Sequence, residues 1–372
     1  EHQVDLIAHL STLSDDFEIK YFNPSAKKLT PSFLDKISDL AIDFHDHNAR
    51  LHNKLLVVDG KFIITGGRNI NNHYFDEVIG LNYKDRDALI IQENSTELEK
   101  CLTSYWQSEH SVSTFDLIDV NEALSSDGSN INYDQDYFFK YDIFQKNYSR
   151  ANNESVISNI FVSSLINISS VEWLYDMPDK VEQAPQVNSS VTNKILSLIE
   201  SAQEEILIQS PYVVISEETQ NVFRSLNRTS PDLKVIVSTN SLAATDNWVT
   251  YAANYQEKRV YLDDLGLEIY EFKPIPTDIG KMMNYEKLLT RPPFYREKVL
   301  FGAEDFKVNE NLLKKLRNKK LINEKNIFLK TAPYLSLHAK SFVIDKNITF
   351  IGSYNLDPRS EIYNTELGVI IR

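Results

Sequence analysis

Cysteine is nearly absent: Cys101 is the one thiol in 372 residues. No intrachain disulfide can form and no cysteine metal cluster is available, which fits a reducing compartment. No run approaches 18 consecutive apolar residues, so no segment has the pattern of a bilayer-spanning helix. No basic-then-apolar leader follows Glu1, and any targeting segment is expected to lie outside these residues. Positive charge is short as well. With 39 Lys plus Arg against 53 Asp plus Glu, the net charge of −14 argues against generic binding to a phosphate backbone unless a local basic patch exists.

What is present suits a folded chain. Hydrophobic residues at 42% and charged residues at 25% exclude a largely disordered one, and 19 Tyr with 19 Phe supply a large core. The length favours two packed lobes. The charge is uneven: residues 116–185 carry 12 acidic and 4 basic side chains. Rich in Asn, Ser and Asp, this stretch reads as an acidic connector between an N-terminal lobe, 1–115, and a C-terminal lobe, 186–372. Beyond it an α/β alternation sets in. Residues 188–202 have helical spacing, 205–214 hold a strand, 217–225 a polar helix and 233–238 a buried strand. Such alternation predicts a mixed or mainly parallel sheet with helices on both faces.

An internal repeat organises the whole chain. Leu51-His52-Asn53-Lys54 returns as Leu337-His338-Ala339-Lys340. Counted from each His, Lys lies at +2, Asp at +7 (Asp59, Asp345), Gly at +14 (Gly66, Gly352) and Asn at +17 (Asn69, Asn355). Five identities at matched offsets, each followed by an apolar strand, mark a duplication. The second copy has two good strands ahead of its His and the first does not. The first lobe is therefore expected to be incomplete at its N-terminal side, the sequence starting inside a longer chain.

Side chains at i and i+2 of a strand share a face, so His52 projects with Lys54 and His338 with Lys340. Asp59-Gly60 and Asp345-Lys346-Asn347 are hairpin signals that bring Asn69 and Asn355 back beside these pairs. The set suits a phosphodiester. Lys and Asn can hold the non-bridging oxygens, one neutral imidazole can attack phosphorus to give a phosphohistidine, and a protonated one can serve the leaving oxygen. Opposite protonation states call for carboxylates that orient the rings. Asp87 and Glu366, each just before an apolar strand, are the candidates, placed opposite one another when those strands are aligned. Other features have plainer readings. His45-Asp46-His47 near His52 is read as no metal site, His73 as part of a polar loop, and Cys101 as packing on a helix over 96–109. The run Lys314, Lys315, Arg317, Lys319, Lys320 among leucines reads as an amphipathic helix that could lie on an anionic membrane.

The paired motifs resemble the phospholipase D superfamily, whose signature His-x-Lys-x4-Asp-x6-Gly-Ser/Gly-x-Asn both copies match without a gap; Gly67 stands where Ser353 keeps the commoner serine. Ser210-Pro211-Tyr212, the stretch from Asn240 to Asp246, and Asn355-Leu356-Asp357-Pro358-Arg359-Ser360 look most like bacterial cardiolipin synthases without transmembrane helices. The resemblance implies an α/β fold of two α/β/α lobes related by a pseudo-two-fold axis, with the active site between them. It implies phosphatidyl transfer through a phosphohistidine with no metal or cofactor. His52 and His338 are then nucleophile and general acid, His52 being the nucleophile by analogy. Lys54, Lys340, Asn69 and Asn355 bind phosphate, and Asp59 and Asp345 hold hairpins. The implied partner is a phospholipid at a membrane surface touched peripherally, the bacterial inner membrane on its cytoplasmic side, or alternatively a secreted setting. Hydrolysis to phosphatidic acid is the alternative reaction, and nucleic-acid phosphodiester cleavage a second.

Overall fold

The computed structural model describes residues 2–32, 49–78, 80–125, 141–181, 189–283, 288 and 333–372. Six strands belong to the first part of the chain: β1 Lys20–Phe22, β2 Leu55–Val58, β3 Phe62–Gly66, β4 Leu81–Lys84, β5 Asp87–Ile91 and β6 Ser111–Ser113. Eight follow: β7 Val171–Tyr175, β8 Glu205–Gln209, β9 Lys234–Asn240, β10 Leu267–Phe272, β11 Tyr334–Leu337, β12 Ser341–Ile344, β13 Ile348–Gly352 and β14 Leu367–Ile371.

The larger sheet has seven strands in the order β10-β9-β8-β12-β13-β14-β7. It is mixed, as the alternation predicts: β10, β9 and β8 run parallel, and from β8 to β7 each neighbour is antiparallel. One face is covered by the helices Ser190–Glu200 and Glu217–Thr229. Ser189 and Ser216 cap their first turns by accepting the Thr192 and Thr219 N–H groups. Val191, Ile195 and Ile199, one helical stripe, pack with Phe223, Ile206, Ile208, Phe342 and Phe350 into the main core. The sheet also takes in β7, from the connector side of the expected boundary at 186. Trp173 and Leu174 are buried there, so the acidic surroundings conceal a short apolar strand that closes the sheet edge.

In the first lobe β2, β3 and β5 form a meander that repeats β12, β13 and β14 pair for pair: Leu55 faces Thr65 as Ser341 faces Ile351. A separate apolar core joins the two meanders, with Ile63 and Ile90 of one against Ile351, Leu367 and Val369 of the other, and buried Cys101 beside them. Packing these two sheets face to face brings their glycine corners, and the strands leading into them, to one place.

Both hairpins turn through two residues in the left-handed region, Asp59 and Gly60 at φ 53° and 65°, Asp345 and Lys346 at φ 49° and 59°. Such turns match strand twist, but a side chain at positive φ is strained. Lys346 is exposed and carries that strain. Lys346→Gly is therefore expected to raise stability by up to about 1 kcal/mol in a denaturant melt, after the entropic cost of glycine is subtracted. Asp345 also accepts the N–H groups of Gln203, Glu204 and Glu205 at 2.8–3.0 Å, tying its turn to the start of β8. Asp59 is exposed in its turn. The basic run at 314–320 and the His45–His47 stretch lie outside the described residues.

Candidate active site

Each histidine sits just outside a strand and is pinned by backbone bonds to the other repeat. His338 donates its N–H to the Lys84 carbonyl at 2.7 Å, where β11 runs parallel to β4. His52 donates to the Thr365 carbonyl at 3.1 Å, and Thr365 donates to the Arg50 carbonyl at 3.0 Å. The residue after each pinning carbonyl is a carboxylate. Asp85 follows Lys84 and Glu366 follows Thr365, so each lobe delivers an acid to the other lobe's imidazole. His52 Nδ1 lies 2.9 Å from Glu366, and His338 Nδ1 lies 2.7 Å from Asp85.

This corrects the expectation for Asp87. Asp87 takes a bond from Arg68 Nε at 2.6 Å at the half-open edge of the site and touches neither histidine. The ladder explains why: Gly66 pairs with Asp87 where Gly352 pairs with Gly368, so the counterpart of Glu366 stands two residues earlier, at Asp85. Glu366 is the candidate that does meet an imidazole. Gly67 has a reason too. A Cβ there would collide with an Asp85 carboxylate oxygen, whereas the equivalent Ser353 donates its hydroxyl to Glu366.

The two lysines behave alike. Lys54 and Lys340 each fold back to donate to the carbonyl of their own histidine at 2.6 Å. Lys340 is fully buried, with Nζ 2.8 and 3.0 Å from the two ring nitrogens of His338. Burial pushes Lys340 down to about 7, against the opposing pull of Asp85, and Lys54 to about 8, against Glu366. Ammonium groups so desolvated gain most from an arriving anion. Asn355 has a buried Oδ1 without a hydrogen-bond partner among the described residues. Asn69 donates instead to the Tyr74 hydroxyl at 2.9 Å, and that hydroxyl lies 3.3 Å from His338 Nε2.

Burial lowers both histidines, His338 further because Lys340, Lys54 and His52 add their charges, while Glu366 partly restores His52. These charges act both within each repeat and between the two, and the four side chains share one site. Burial would raise Glu366, but His52 and the Ser353 and Ser360 hydroxyls hold it below the ordinary carboxylate range. Burial raises Asp85 despite Lys340.

Several further residues take part here. Asn240, Tyr212, Asp246 and Ser360 lie in the segments that carry the resemblance but have no role assigned from sequence, and Tyr83 has no sequence signal. Asn240 grips Leu337, next to His338, through two bonds of 2.8 Å to its backbone. Ser360 donates to Glu366 at 2.7 Å. Tyr83 and Tyr212 both donate to Asp246 at 2.8–2.9 Å beside the Tyr74 ring. Asp85 could have been found by counting from the glycines; Tyr74 has no comparable signal.

Residues 195–372 match the family model described as "Cardiolipin synthase, PLD-like domain". Cardiolipin synthase C of Escherichia coli is 28% identical over 370 residues, 99% of this chain and 67% of that protein. Residues 195–372 thus carry a PLD-like domain, and the chain as a whole is similar to cardiolipin synthase C. An uncharacterized Helicobacter pylori protein is 24% identical over 355 residues, 95% of this chain and 60% of that one. The chain thus spans about three-fifths to two-thirds of the length of these relatives. Among solved structures, phosphatidylserine synthase of Haemophilus influenzae aligns at a TM-score of 0.43 and 15% identity, over 86% of this chain and 57% of that one.

Proposed function

We propose that this phospholipase D-like site transfers phosphatidyl groups between alcohols, in the manner of a cardiolipin synthase. The observation that carries it is the pair of imidazoles, each held at Nδ1 by the opposite lobe's carboxylate, with two desolvated lysines between them. Nδ1 being engaged, Nε2 of each ring is the reactive nitrogen. One neutral Nε2 forms a bond to phosphorus as the headgroup oxygen leaves, and the other imidazole gives that oxygen its proton. The acceptor alcohol then attacks, its proton passing to the imidazole that has just lost one, and the phosphorus–nitrogen bond breaks. Lys54, Lys340, Asn69 and Asn355 hold the non-bridging oxygens, whose charge grows in each transition state.

In this reading phospholipid is reached by peripheral contact; among the described residues no helix is long and apolar enough to cross a membrane. The test incubates the protein and its His338→Ala variant with phosphatidylglycerol and phosphatidylethanolamine vesicles, with and without a primary alcohol. Cardiolipin or phosphatidyl-alcohol, lost in the variant, is the expected result. Phosphatidic acid alone would make it a hydrolase, and no lipid turnover would turn attention to nucleic-acid phosphodiesters.

A further inference from the structure

We infer that Asp176 and Lys180, a buried ion pair inside the stretch expected to be a connector, are positioning residues of the active site: they hold the loop that sets Glu366 against His52. The inference rests on the transfer reading above and deepens it, because it names what readies one of the two imidazoles for that reaction.

The pair is built locally. Asp176 directly follows β7, and Lys180 lies four residues on, in a 3₁₀ turn over Pro178–Val181 whose first residue has the fixed φ that opens a helical turn. Met177 and Asp179 face solvent while Asp176 and Lys180 turn inward. Lys180 Nζ lies 2.8 Å from Asp176 Oδ2, with the lysine side chain 7% and the carboxylate 1% exposed. The same ammonium donates to the Ser360 carbonyl at 3.0 Å and the Asn364 carbonyl at 2.6 Å. Three acceptors thus meet its three donors. The carboxylate is also well used. It accepts the N–H of Glu366 at 3.1 Å and that of Val191 at 3.3 Å, while the Asp176 N–H donates to the Glu366 carbonyl at 2.9 Å.

All these bonds converge on the loop between β13 and β14. It contains a wide turn, Arg359–Tyr363, in which the Asn364 N–H reaches back five residues to the Arg359 carbonyl. The Thr365 N–H, which would meet the Ser360 carbonyl if this turn went on, goes to the Arg50 carbonyl instead. Lys180 supplies the donor that the broken ladder leaves wanting. What it holds is close to the chemistry. The Ser360 hydroxyl donates to Glu366 at 2.7 Å and accepts the Asn355 N–H at 3.0 Å. Thr365, between Asn364 and Glu366, receives the His52 N–H, and Glu366 meets His52 Nδ1 at 2.9 Å.

Stability alone gives little reason for the pair, since apolar residues of similar shape often hold a core as well as a buried ion pair does. An ion pair adds direction: the ammonium fixes two carbonyls and the carboxylate an N–H of the residue that orients the ring. The other imidazole does not depend on it. His338 takes its carboxylate from Asp85, just after β4, whose backbone is held by β11. The groups facing His52 are Glu366, Lys54 and Lys340. Those facing His338 are Asp85, Lys340, Lys54, His52, Asp246 and the rings of Tyr74 and Tyr83.

Two measurements on the whole chain test the inference. Lys180→Met leaves the Asp176 charge buried without its partner and should melt early, whereas Lys180→Met with Asp176→Asn removes both charges and should recover most of that loss. The double variant should nonetheless lower kcat on phosphatidylglycerol vesicles by about 10–100-fold with KM within about three-fold, as misplacing a reacting group does. Full activity in the stable double variant overturns the inference and leaves the pair a purely structural one. The second measurement needs no turnover. In NMR spectra of labelled histidines, the double variant should lose the preference of His52 for a proton on Nδ1. Because Glu366 raises the His52 midpoint, that midpoint should fall by about half to one pH unit while that of His338 stays. An unchanged His52, or equal shifts in both rings, overturns the positioning role. No lipid turnover by the unaltered protein sinks the transfer reading, and the histidine spectra then decide the positioning by themselves.

Discussion

Asp85→Asn is expected to lower turnover by about 10²–10⁴-fold and Glu366→Gln by a similar factor, while Asp87→Asn stays within a few-fold of the unaltered protein. The reason is the tautomer. Each carboxylate accepts the Nδ1 proton of an imidazole from the opposite lobe, at 2.7 Å for Asp85 and 2.9 Å for Glu366, and so leaves Nε2 as the reacting nitrogen. An amide can offer its own N–H to Nδ1 and hold the ring the wrong way round. Asp87 has no such contact. Its partner is Arg68, and with both side chains about a quarter exposed such a pair contributes roughly 0–1 kcal/mol. Initial rates on phosphatidylglycerol vesicles, with thermal melts to show that each variant is folded, separate the three positions. A damaging Asp87→Asn beside a harmless Asp85→Asn would mean that the carboxylates do not cross between lobes.

Much of this arrangement is legible in the sequence because the motif is doubled. The repeated His-x-Lys marks both site segments, although the pairs lie just ahead of β2 and β12 rather than on a strand face, and the turn residues fix both hairpins. What the sequence hides is set by register and by distance along the chain. The apolar run of β14 starts at Leu367, but Arg86 and Asp87 stand where Leu367 and Gly368 stand, so matching the runs by their apolar starts slips the alignment by two residues. Gly368 is packed tightly against Phe350, whereas Asp87 is at the exposed edge and tolerates charge. Tyr74 sits in a polar loop that looks like surface, and it is buried by contact with a residue 264 positions away. β7 is a five-residue strand in an acidic stretch, found through its partner β14 rather than its own pattern. Pairing partners of this kind follow from the folded sheet, not from local propensity.

The buried ammonium of Lys340 leads to the other large effect, a separation of stability from activity. Lys340→Met should raise stability by roughly 1–4 kcal/mol near neutral pH while lowering turnover by about 10²–10³-fold. No carboxylate lies within ion-pairing distance of Lys340 among the described residues, and its side chain is fully enclosed. Folding therefore strips its hydration in exchange for contacts with the His338 carbonyl and ring rather than for an ion pair. The group titrates near 10.5 when exposed and at about 7 in the folded site. Between those values the unfolded chain binds the extra proton, so the cost to the folded state grows as pH falls from 10.5 and is complete below 7. The advantage of methionine should accordingly be greatest in melts below pH 7 and fade toward pH 10.5. The same enclosure is what the reaction uses. A phosphoryl oxygen arriving beside a dehydrated ammonium meets little competing water, so the charge that weakens the empty fold strengthens the occupied one. A Lys340→Met protein that melts earlier at every pH would show that the bond to the His338 carbonyl outweighs desolvation, and this account of the site would fail.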